Sequence, residues 1–341
     1  MKKILGTTLA ASLAMFGGNV AAEGELFLYN WTDYTSDELI AKFEAETGIK
    51  VTLDTYDSNE TLLAKLKSGA TGYDLAVPSQ NFVSIMIEEG LLETVDVAAM
   101  ENFSNVAEAF QNPSWDPEQQ YSSPYQMGTT SYAVNTEAGV GSCASLAEFF
   151  EPNDAASGNL GVFKTPEEVV NLAHIYLGQE FCTEDTDDLR AVQALLMGQK
   201  EHVKIFSSEG TMDRMGSGDT TISNAWNGDA MRQRLEGASI EYCFPQEGVV
   251  GWYDSLVIPK GAKNIENAKT FMNWLMVPEN MAIQSDFARY ANPIKGTEEF
   301  ASEEMATSPE VAVPSVPVKF GQSCGPKYVK AVDRIWTKLL Q

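Results

Sequence analysis

Residues 26–78 read LFLYNWTDYTSDELIAKFEAETGIKVTLDTYDSNETLLAKLKSGATGYDLAVP, and this stretch decides the fold. Three apolar runs within it predict β-strands, at Leu26–Tyr29, Lys50–Thr55 and Tyr73–Val77. Between these strands, the spacing of apolar residues predicts a helix from about Ser36 to Gly48 and another near Leu62–Leu66. A β-α-β-α-β order implies a mostly parallel sheet with helices on both faces.

The rest of the chain continues this alternation. Ser131–Val134 and Asp254–Ile258 are among the further predicted strands, and a last helix is predicted from about Lys327 to Leu340. No internal repeat, low-complexity tract or long Gly/Ser linker divides the sequence. A chain of 341 residues usually forms two domains. Two α/β lobes, between which the chain crosses more than once, fit this organisation.

The composition is ordinary for a globular protein, but the charge is strongly acidic. The chain has 48 Asp and Glu residues against 23 Lys and Arg residues, which gives a formal net charge of −25 at pH 7. This charge disfavours DNA, RNA and anionic lipid as partners, because all three are negatively charged. It permits a cationic ligand, although a solvated acidic surface explains the charge equally well.

The N-terminus has the pattern of a secretory signal peptide. Lys2 and Lys3 precede the apolar residues 4–16, and small residues lead to Ala22. The apolar run is shorter than the ~20 residues that span a bilayer, which disfavours a membrane anchor. Cleavage near Ala22 would export the protein, and the loss of two lysines would change its net charge from −25 to −27.

Four cysteines remain after this cleavage: Cys143, Cys182, Cys243 and Cys324. In an oxidising compartment they predict two disulfides, and the sequence leaves three pairings open. The chain contains no CxxC motif and only 2 histidines. We therefore expect neither a zinc site nor a catalytic cysteine–histidine pair.

The segment Asn30–Tyr34 follows the first predicted strand. Ligand-binding loops of parallel sheets lie at the carboxyl ends of the strands. This segment offers two aromatic rings, a hydroxyl and a carboxylate, at Trp31, Thr32, Asp33 and Tyr34. Such a set suits an alkylammonium group, which aromatic rings hold by cation–π contacts and an acid neutralises.

Two predicted helix starts carry polar residues that fit either a cap or a ligand site. Ser79 ends the third predicted strand, and its hydroxyl suits a helix N-cap as well as a hydrogen bond to a ligand. Thr165, Pro166 and Glu168 have the spacing of a capping box with proline at the first helical position. The capping box is the simpler interpretation of Glu168.

Two further segments place an aromatic residue shortly before an acid. Trp226 and Asp229 lie where the chain leaves a predicted strand, and Trp252 and Asp254 lie at the start of another. Residues i and i+2 of a strand share a face, so Trp252 and Asp254 are predicted to point the same way. A buried acid needs a partner, either a bound cation or a structural Lys or Arg. Tyr290 adds an aromatic ring in a predicted loop.

These segments together resemble the periplasmic spermidine/putrescine-binding proteins of ABC importers. The likeness rests on the order and spacing of motifs over nearly the whole mature chain: Asn30–Tyr34, Tyr56–Glu60, Val77–Ser79, Trp226–Asp229, Trp252–Asp254 and Trp336–Lys338. The resemblance implies an α/β clamshell of two lobes, each a mostly parallel sheet flanked by helices. It implies residues 1–22 as signal peptide, one lobe from 23–132 and 258–316, and a second from 133–257 and 317–341. All four cysteines then fall in the second lobe.

The resemblance also implies roles for the site residues. It implies an aromatic box around the methylene chain of a polyamine, formed by Trp31, Tyr34, Trp226, Trp252 and Tyr290. Polar groups would hold the ammonium ends: the hydroxyls of Thr32 and Ser79, and the acids Asp33, Glu168, Asp229 and Asp254. Ser208 and Gln322 match positions that line the site in part of the family.

Four positions bear on which polyamine is preferred. Spermidine-selective members have an aromatic residue where Asn81 stands and Asp where Thr165 stands, whereas Asp229 resembles the putrescine-selective members. Lys164 adds a positive charge at the edge of the acids, which disfavours a third ammonium site. We therefore expect a putrescine-like diamine rather than spermidine, with agmatine and cadaverine as related alternatives.

The resulting hypothesis is a periplasmic receptor, expected to be a monomer, that delivers a polyamine to a membrane ABC permease. No cofactor, metal, catalytic residue or nucleic-acid partner is expected. Three alternatives stay open. The first is a receptor for another amine, such as a quaternary amine or a zwitterion whose carboxylate meets Lys164. The others are a secreted enzyme on the same scaffold with a cysteine nucleophile, and a chemosensory receptor for the same ligand.

Overall fold

The structure, a computed structural model, describes residues 24–69 and 72–341. The predicted signal peptide, residues 1–22, lies outside the described residues, so cleavage near Ala22 stays a prediction. Within the described ranges, no helix has both the length and the apolar character needed to cross a membrane.

The strands form a curled, mixed sheet. They are β1 (Gly24–Trp31), β2 (Ile49–Tyr56), β3 (Leu75–Ala76), β4 (Ser122–Asn135), β5 (Leu160–Val162), β6 (Val203–Phe206), β7 (Ile222–Trp226), β8 (Ile240–Tyr242), β9 (Val249–Val257) and β10 (Val318–Phe320). Their order is β2-β1-β3-β9-β4-β7-β5-β6, with β10 beside β9 and β8 beside β4. β1 pairs parallel with β2 and β3, and β5 pairs parallel with β6 and β7. Between these two parallel groups, β4 and β9 run antiparallel to each other and join them.

The two central strands are longer than the sequence predicts. β4 begins at Ser122 rather than at Ser131, and β9 begins at Val249 rather than at Asp254. The added part of β4 contains polar residues that are buried in the sheet, such as Gln126, so it lacks the apolar pattern by which strands are recognised. The strands within each lobe pair parallel, as predicted, and the antiparallel pairs of β4 and β9 lie where the two lobes join.

Helices connect the strands and cover the sheet. They are α1 (Asp37–Thr47), α2 (Asn59–Lys67), α3 (Gln80–Glu88), α4 (Ala147–Phe150), α5 (Pro166–Tyr176), α6 (Thr186–Gln199), α7 (Thr211–Gly216), α8 (Asn227–Leu235), α9 (Ile265–Leu275), α10 (Pro278–Ala288), α11 (Glu303–Thr307) and α12 (Pro326–Leu340). α1 shows how the sequence sets their ends. The Ser36 side chain accepts a hydrogen bond from the backbone N–H of Leu39, and Gly48 ends the helix with φ 74°.

The buried hydrophobic side chains form separate clusters on the two sides of the central strands. Phe43 and Phe271 belong to a cluster on the side of β1, which we call the first lobe. Phe149 and Trp336 belong to a cluster on the side of β5, which we call the second lobe. The predicted limits of the lobes, after residues 132 and 257, fall within β4 and at the end of β9. That division stays a prediction, whereas the predicted α/β class is confirmed.

Both disulfides involve the second lobe. Cys143 bonds to Cys243 across a sequence separation of 100, and Cys182 bonds to Cys324 across a separation of 142. The prediction of two disulfides is confirmed, and the pairing that the sequence leaves open is given by the fold. Each bond joins distant parts of the chain, which restricts the unfolded chain and so stabilises the folded one.

Candidate functional site

A cleft between the lobes contains most of the residues that the sequence singles out. It encloses about 850 Å³ of empty space, including the part open to solvent, and typical ligand sites measure ~300–1,000 Å³. The ends of β1 and β7, the starts of α2, α3, α5 and α8, and the middle of β9 form its surface. Eleven of the predicted site residues line it: Trp31, Thr32, Asp33, Tyr34, Ser79, Glu168, Trp226, Asp229, Trp252, Asp254 and Tyr290.

Aromatic rings pack against one another around the cleft. The centre of the Tyr290 ring lies 4.9 Å from that of Trp252 and 5.6 Å from that of Tyr34, both edge to face. The Trp226 ring lies 4.4 Å from Phe163, which belongs to the core of the second lobe. These contacts fix the orientation of the rings, and both lobes contribute to the aromatic part of the site.

Two glycines give these rings their space. A Cβ atom at Gly128 would lie 2.4 Å from a ring carbon of Trp252, and a Cβ atom at Gly228 would lie 2.5 Å from a ring carbon of Tyr290. Real Cβ atoms do not come this close to a ring. Any larger residue at either position would therefore displace a ring of the cleft.

Asp254 is the least exposed of the acids that line the cleft, with 4% of its surface accessible. Ser79 donates a hydrogen bond of 2.7 Å from its hydroxyl to this carboxylate. Ser79 occupies the N-cap position of α3, but its side chain does not cap the helix. The Tyr34 hydroxyl lies nearby without a hydrogen bond of good geometry.

Burial raises the pKa of Asp254 from 3.8 to about 7. The hydroxyls of Ser79 and Tyr34 act in the opposite direction, and the Glu168 carboxylate adds to the rise. No Lys or Arg forms an ion pair with Asp254 in the described part of the chain. A bound cation would supply the charge that this buried carboxylate lacks.

Glu168 is held by three donors, two on the second lobe and one on the central strand β4. Its Oε1 accepts hydrogen bonds of 2.6 Å from both the Thr130 hydroxyl and the Trp226 indole, and its Oε2 accepts one of 2.8 Å from Thr165. The predicted capping box is therefore wrong. Thr165 is the N-cap residue and Pro166 lies in the first turn, but the Thr165 side chain makes no cap bond. Glu168 turns into the cleft instead, where burial raises its pKa.

Asp229 and Asp33 form a second group of acids. The Tyr290 hydroxyl donates a hydrogen bond of 3.3 Å to Asp229, and the Arg232 guanidinium lies 3.8 Å from the same oxygen. The Asp229 side chain is 32% exposed, because it lies on the surface of a cleft that is open to solvent. Burial raises the pKa of Asp229, Arg232 and Tyr290 lower it, and Asp33 raises it further.

The remaining predicted residues have different environments. The Thr32 hydroxyl lines the cleft and donates a weak hydrogen bond of 3.4 Å to the carbonyl of Tyr56. Ser208 does not line the cleft, and its hydroxyl accepts a hydrogen bond from the backbone N–H of Lys164. Gln322 and Lys164 are both exposed and also do not line the cleft.

The cleft contains further residues that the sequence does not identify as ligands: Asn59, Glu60, Gln80, Asn81, Thr165, Glu167, Val250, Gly251 and Gly321. Asn59, Glu60, Gln80 and Asn81 begin the helices that follow β2 and β3. These four residues could be predicted from the sequence, because ligand-binding loops of parallel sheets follow the carboxyl ends of the strands. Glu167 gives no such signal, since it is one of two adjacent acids in the first turn of a helix, where acids are common.

Glu167 is the most strongly perturbed glutamate of the cleft. Both of its carboxyl oxygens lie 2.8 Å from the side-chain nitrogen of Asn81, which donates to them. Burial raises the pKa of Glu167 to about 8; the nearby acids Glu60 and Glu168 raise it further, while the hydrogen bonds from Asn81 lower it. Burial and the neighbouring acids therefore favour the protonated form of Glu167, whereas Asn81 favours the ionised form.

The arrangement suits a small organic cation with an apolar middle. Carboxyl groups lie in at least two groups along the cleft, and aromatic rings lie between them. Across the described ranges, no cluster of His, Cys, Asp and Glu is suited to hold a metal ion. All four cysteines are in disulfides.

Known proteins with a similar sequence or structure share this architecture. The spermidine/putrescine-binding periplasmic protein of Escherichia coli K12 is 34% identical to this chain, over 94% of this chain and 93% of its own length. The putrescine-binding periplasmic protein SpuD of Pseudomonas aeruginosa is 31% identical, over 99% and 97%. The crystal structure of PotD, a spermidine/putrescine ABC transporter substrate-binding protein of Streptococcus pneumoniae, superposes with a TM-score of 0.79. It is 26% identical and is matched over 93% of this chain and 99% of its own.

These similarities confirm the predicted two-lobed α/β fold and the resemblance on which it rests. The sequence pattern of bacterial extracellular solute-binding proteins matches residues 38–313, which is most of the chain. This chain therefore belongs to the family of bacterial extracellular solute-binding proteins.

Proposed function

We propose that this protein is a periplasmic receptor for a polyamine and delivers it, as a monomer, to the permease of an ABC importer. The observation that carries the proposal is the buried Asp254, which has no cationic partner among residues 24–69 and 72–341 and lies in a cleft lined by aromatic rings and further acids. The names of the relatives from Escherichia coli and Pseudomonas aeruginosa support the same ligand class.

The ligand would lie along the cleft with its ammonium groups at the two groups of acids. Asp33 and Asp229 would take one end, and Asp254 and Glu168 the other. Trp226, Trp252, Tyr34, Tyr290 and Trp31 would surround the methylene chain. We favour a diamine such as putrescine over spermidine, because these two groups of acids match two ammonium groups.

The energetics are consistent with a useful affinity. Four methylene groups contribute about 0.8 kcal/mol each, and two charge-assisted contacts contribute ~1.5–3 kcal/mol each. The sum is close to the roughly 8 kcal/mol of micromolar binding. Lost translational freedom opposes it, so cation–π contacts with the rings are needed as well.

Closure of the two lobes would couple binding to delivery. Residues of both lobes line the cleft, so a ligand that touches both stabilises the closed arrangement over an open one. A permease that recognises the closed arrangement would then receive loaded receptors in preference to empty ones.

We do not propose an enzymatic activity. The enzyme alternative depends on a cysteine nucleophile, and each of the four cysteines is paired. The family is one of solute-binding proteins. A quaternary amine or a zwitterion is the second candidate ligand, with Lys164 as the group that a ligand carboxylate would need. The exposure of Lys164 outside the cleft argues against it.

Isothermal titration calorimetry with a panel of amines tests the proposal. Putrescine should bind most tightly, followed by cadaverine and agmatine, with spermidine weaker and glycine betaine not bound. Tightest binding of glycine betaine would contradict the polyamine assignment. Tightest binding of spermidine would contradict only the preference for a diamine.

A further inference from the structure

Asn81 and Glu167 stand on opposite sides of the cleft and are joined by hydrogen bonds. α3, which carries Asn81, packs into the core of the first lobe through Phe82 and Val83. α5, which carries Glu167, packs into the core of the second lobe through Val170. The two 2.8 Å contacts from the Asn81 amide to the Glu167 carboxyl therefore connect the lobes directly.

Glu167 differs in this respect from its neighbour Glu168. The donors to Glu168 are Thr165 and Trp226 of the second lobe and Thr130 of the central strand β4, which pairs with β7 opposite Trp226. None of these donors lies on α3 or another helix of the first lobe, so Glu168 keeps them whether or not the lobes are closed. The donor to Glu167 comes from the other lobe. Glu167 therefore has this partner only while the lobes are together.

The surroundings of Glu167 favour a hydrogen-bonding group over a counter-ion. A Cβ atom at Gly321 would lie 2.8 Å from its Oε1, so the backbone of the second lobe closes over that oxygen. The Gln80 side chain donates to the carbonyl of Gly321 over 3.1 Å, which adds a second connection between the lobes beside the first. Burial, Glu60 and Glu168 raise the pKa of Glu167, which disfavours its charged form.

Glu167 also lies near two other acids that line the cleft, Glu60 and Glu168, and both raise its pKa. Asp33 raises the pKa of Asp229, and both Asp229 and Asp254 raise that of Tyr290, which lies between them. Glu168 raises the pKa of Asp254 and of Glu167. Glu168 is therefore near both Asp254 and Glu167, and Asp229 is near Asp33.

We infer that Asn81 and Glu167 form a clasp that holds the lobes together across the cleft beside Glu168, so that Glu167 is not an ammonium ligand. This inference rests on the proposed polyamine function and refines it. A diamine that spans Asp229 and Glu168 leaves the clasp intact. A longer polyamine with a third ammonium group would have to open it, and the clasp therefore selects for short ligands.

Substitutions at the two positions distinguish a clasp from a counter-ion. Calorimetry at pH 7 would compare the wild type with Glu167→Gln, Glu167→Ala and Asn81→Ala, for putrescine and for spermidine. Loss of the hydrogen bond in either alanine variant should weaken putrescine binding by about threefold to tenfold. Spermidine binding should weaken less, so the ratio of putrescine affinity to spermidine affinity should become smaller. Glu167→Gln keeps an acceptor for Asn81 and should bind putrescine within about twofold of the wild type.

Two results would overturn the clasp. Equal losses of putrescine affinity in Glu167→Gln and Glu167→Ala would show that the charge matters, as for a counter-ion. Unchanged putrescine and spermidine affinities in Asn81→Ala would show that the contact has no role in closure. Asn102→Ala is the matched control, because it loses the side-chain hydrogen bond to the carbonyl of Asn273 within the first lobe and should leave the ratio of the two affinities unchanged.

A ligand-free measurement separates the clasp from the proposed function. If the wild type binds no polyamine, the proposed function fails. The clasp can still be tested, because the contact is present without a ligand. The measurement is the free energy of unfolding in urea of Asn81→Ala, Glu167→Ala and the double variant. The double variant should lose less stability than the two single losses combined. Additive losses would overturn the clasp.

Discussion

Replacing Asp254 by Asn should weaken ligand binding and stabilise the ligand-free protein at the same time. Asn keeps the shape of the side chain and an acceptor for the Ser79 hydroxyl, but it removes the charge. The pKa of Asp254 is raised from 3.8 to about 7 by burial, so the folded protein retains this proton more strongly than the unfolded chain does. The associated stability is complete below about pH 4 and is lost as the pH rises to 7.

The magnitude follows from the size of that shift. Each pKa unit corresponds to about 1.4 kcal/mol, so ionisation of Asp254 costs on the order of 4 kcal/mol over the whole range. About half of this cost is incurred between pH 5.5 and pH 8. The advantage of Asp254→Asn over the wild type in the free energy of unfolding should therefore grow by about 2 kcal/mol between pH 5.5 and pH 8. Urea unfolding of both proteins without ligand measures it.

The effect on binding should have the opposite sign. Loss of one charge-assisted contact of ~1.5–3 kcal/mol should weaken putrescine binding at pH 8 by at least about tenfold. Below pH 7 the wild type must release the Asp254 proton before it binds a cation, so its affinity should fall as the pH decreases. The variant should lack that part of the pH dependence.

Two outcomes would refute this reasoning. The first is an advantage of Asp254→Asn that does not change between pH 5.5 and pH 8. The second is a putrescine affinity, and a pH dependence of it, equal to those of the wild type. Asp74→Asn serves as the control, since Asp74 is a buried acid outside the cleft that accepts hydrogen bonds from the backbone of Phe27 and Asn264. It should change stability and leave putrescine binding unchanged.

Three further predictions concern the rings, the glycines and a disulfide. Trp252→Ala should weaken putrescine binding by about tenfold or more in calorimetry, because a cation–π contact and apolar contact area are lost. An unchanged affinity would show that Trp252 does not bind the ligand. Gly228→Ala should also weaken it, because the new Cβ would lie 2.5 Å from the Tyr290 ring, whereas wild-type affinity would show that the ring position is unimportant. Replacing Cys143 and Cys243 together by Ser should lower the free energy of unfolding by about 4–5 kcal/mol, since the bond closes a loop of 100 residues. A loss below 1 kcal/mol, on urea unfolding, would contradict that account.

The sequence predicts the outer parts of the fold better than its centre. The alternating segments up to Val77 become β1, β2, β3 and the helices between them, because their burial follows a simple apolar pattern. The first half of β4 is not predicted, because its buried residues are polar and pair within a network that local patterns do not show. Gln126, for example, donates to Ser285, which is far along the chain.

The site also contains residues that the sequence predicts and residues that it does not. Aromatic–acid pairs such as Trp252 and Asp254 are recognisable in the sequence and do line one cleft. The sequence around Glu168 favours a helix cap, whereas in the structure its carboxylate accepts a hydrogen bond from Trp226. Glu167 and its contact with Asn81 could not be predicted, since the contact joins residues 86 positions apart on different lobes.

The most direct test of the central claim compares putrescine with 1-butylamine in calorimetry at pH 8. The two molecules share a four-carbon chain, but butylamine has one ammonium group where putrescine has two. If acids at both ends of the cleft each hold an ammonium group, butylamine should bind about tenfold to a hundredfold more weakly. Equal affinities for the two amines would contradict the account.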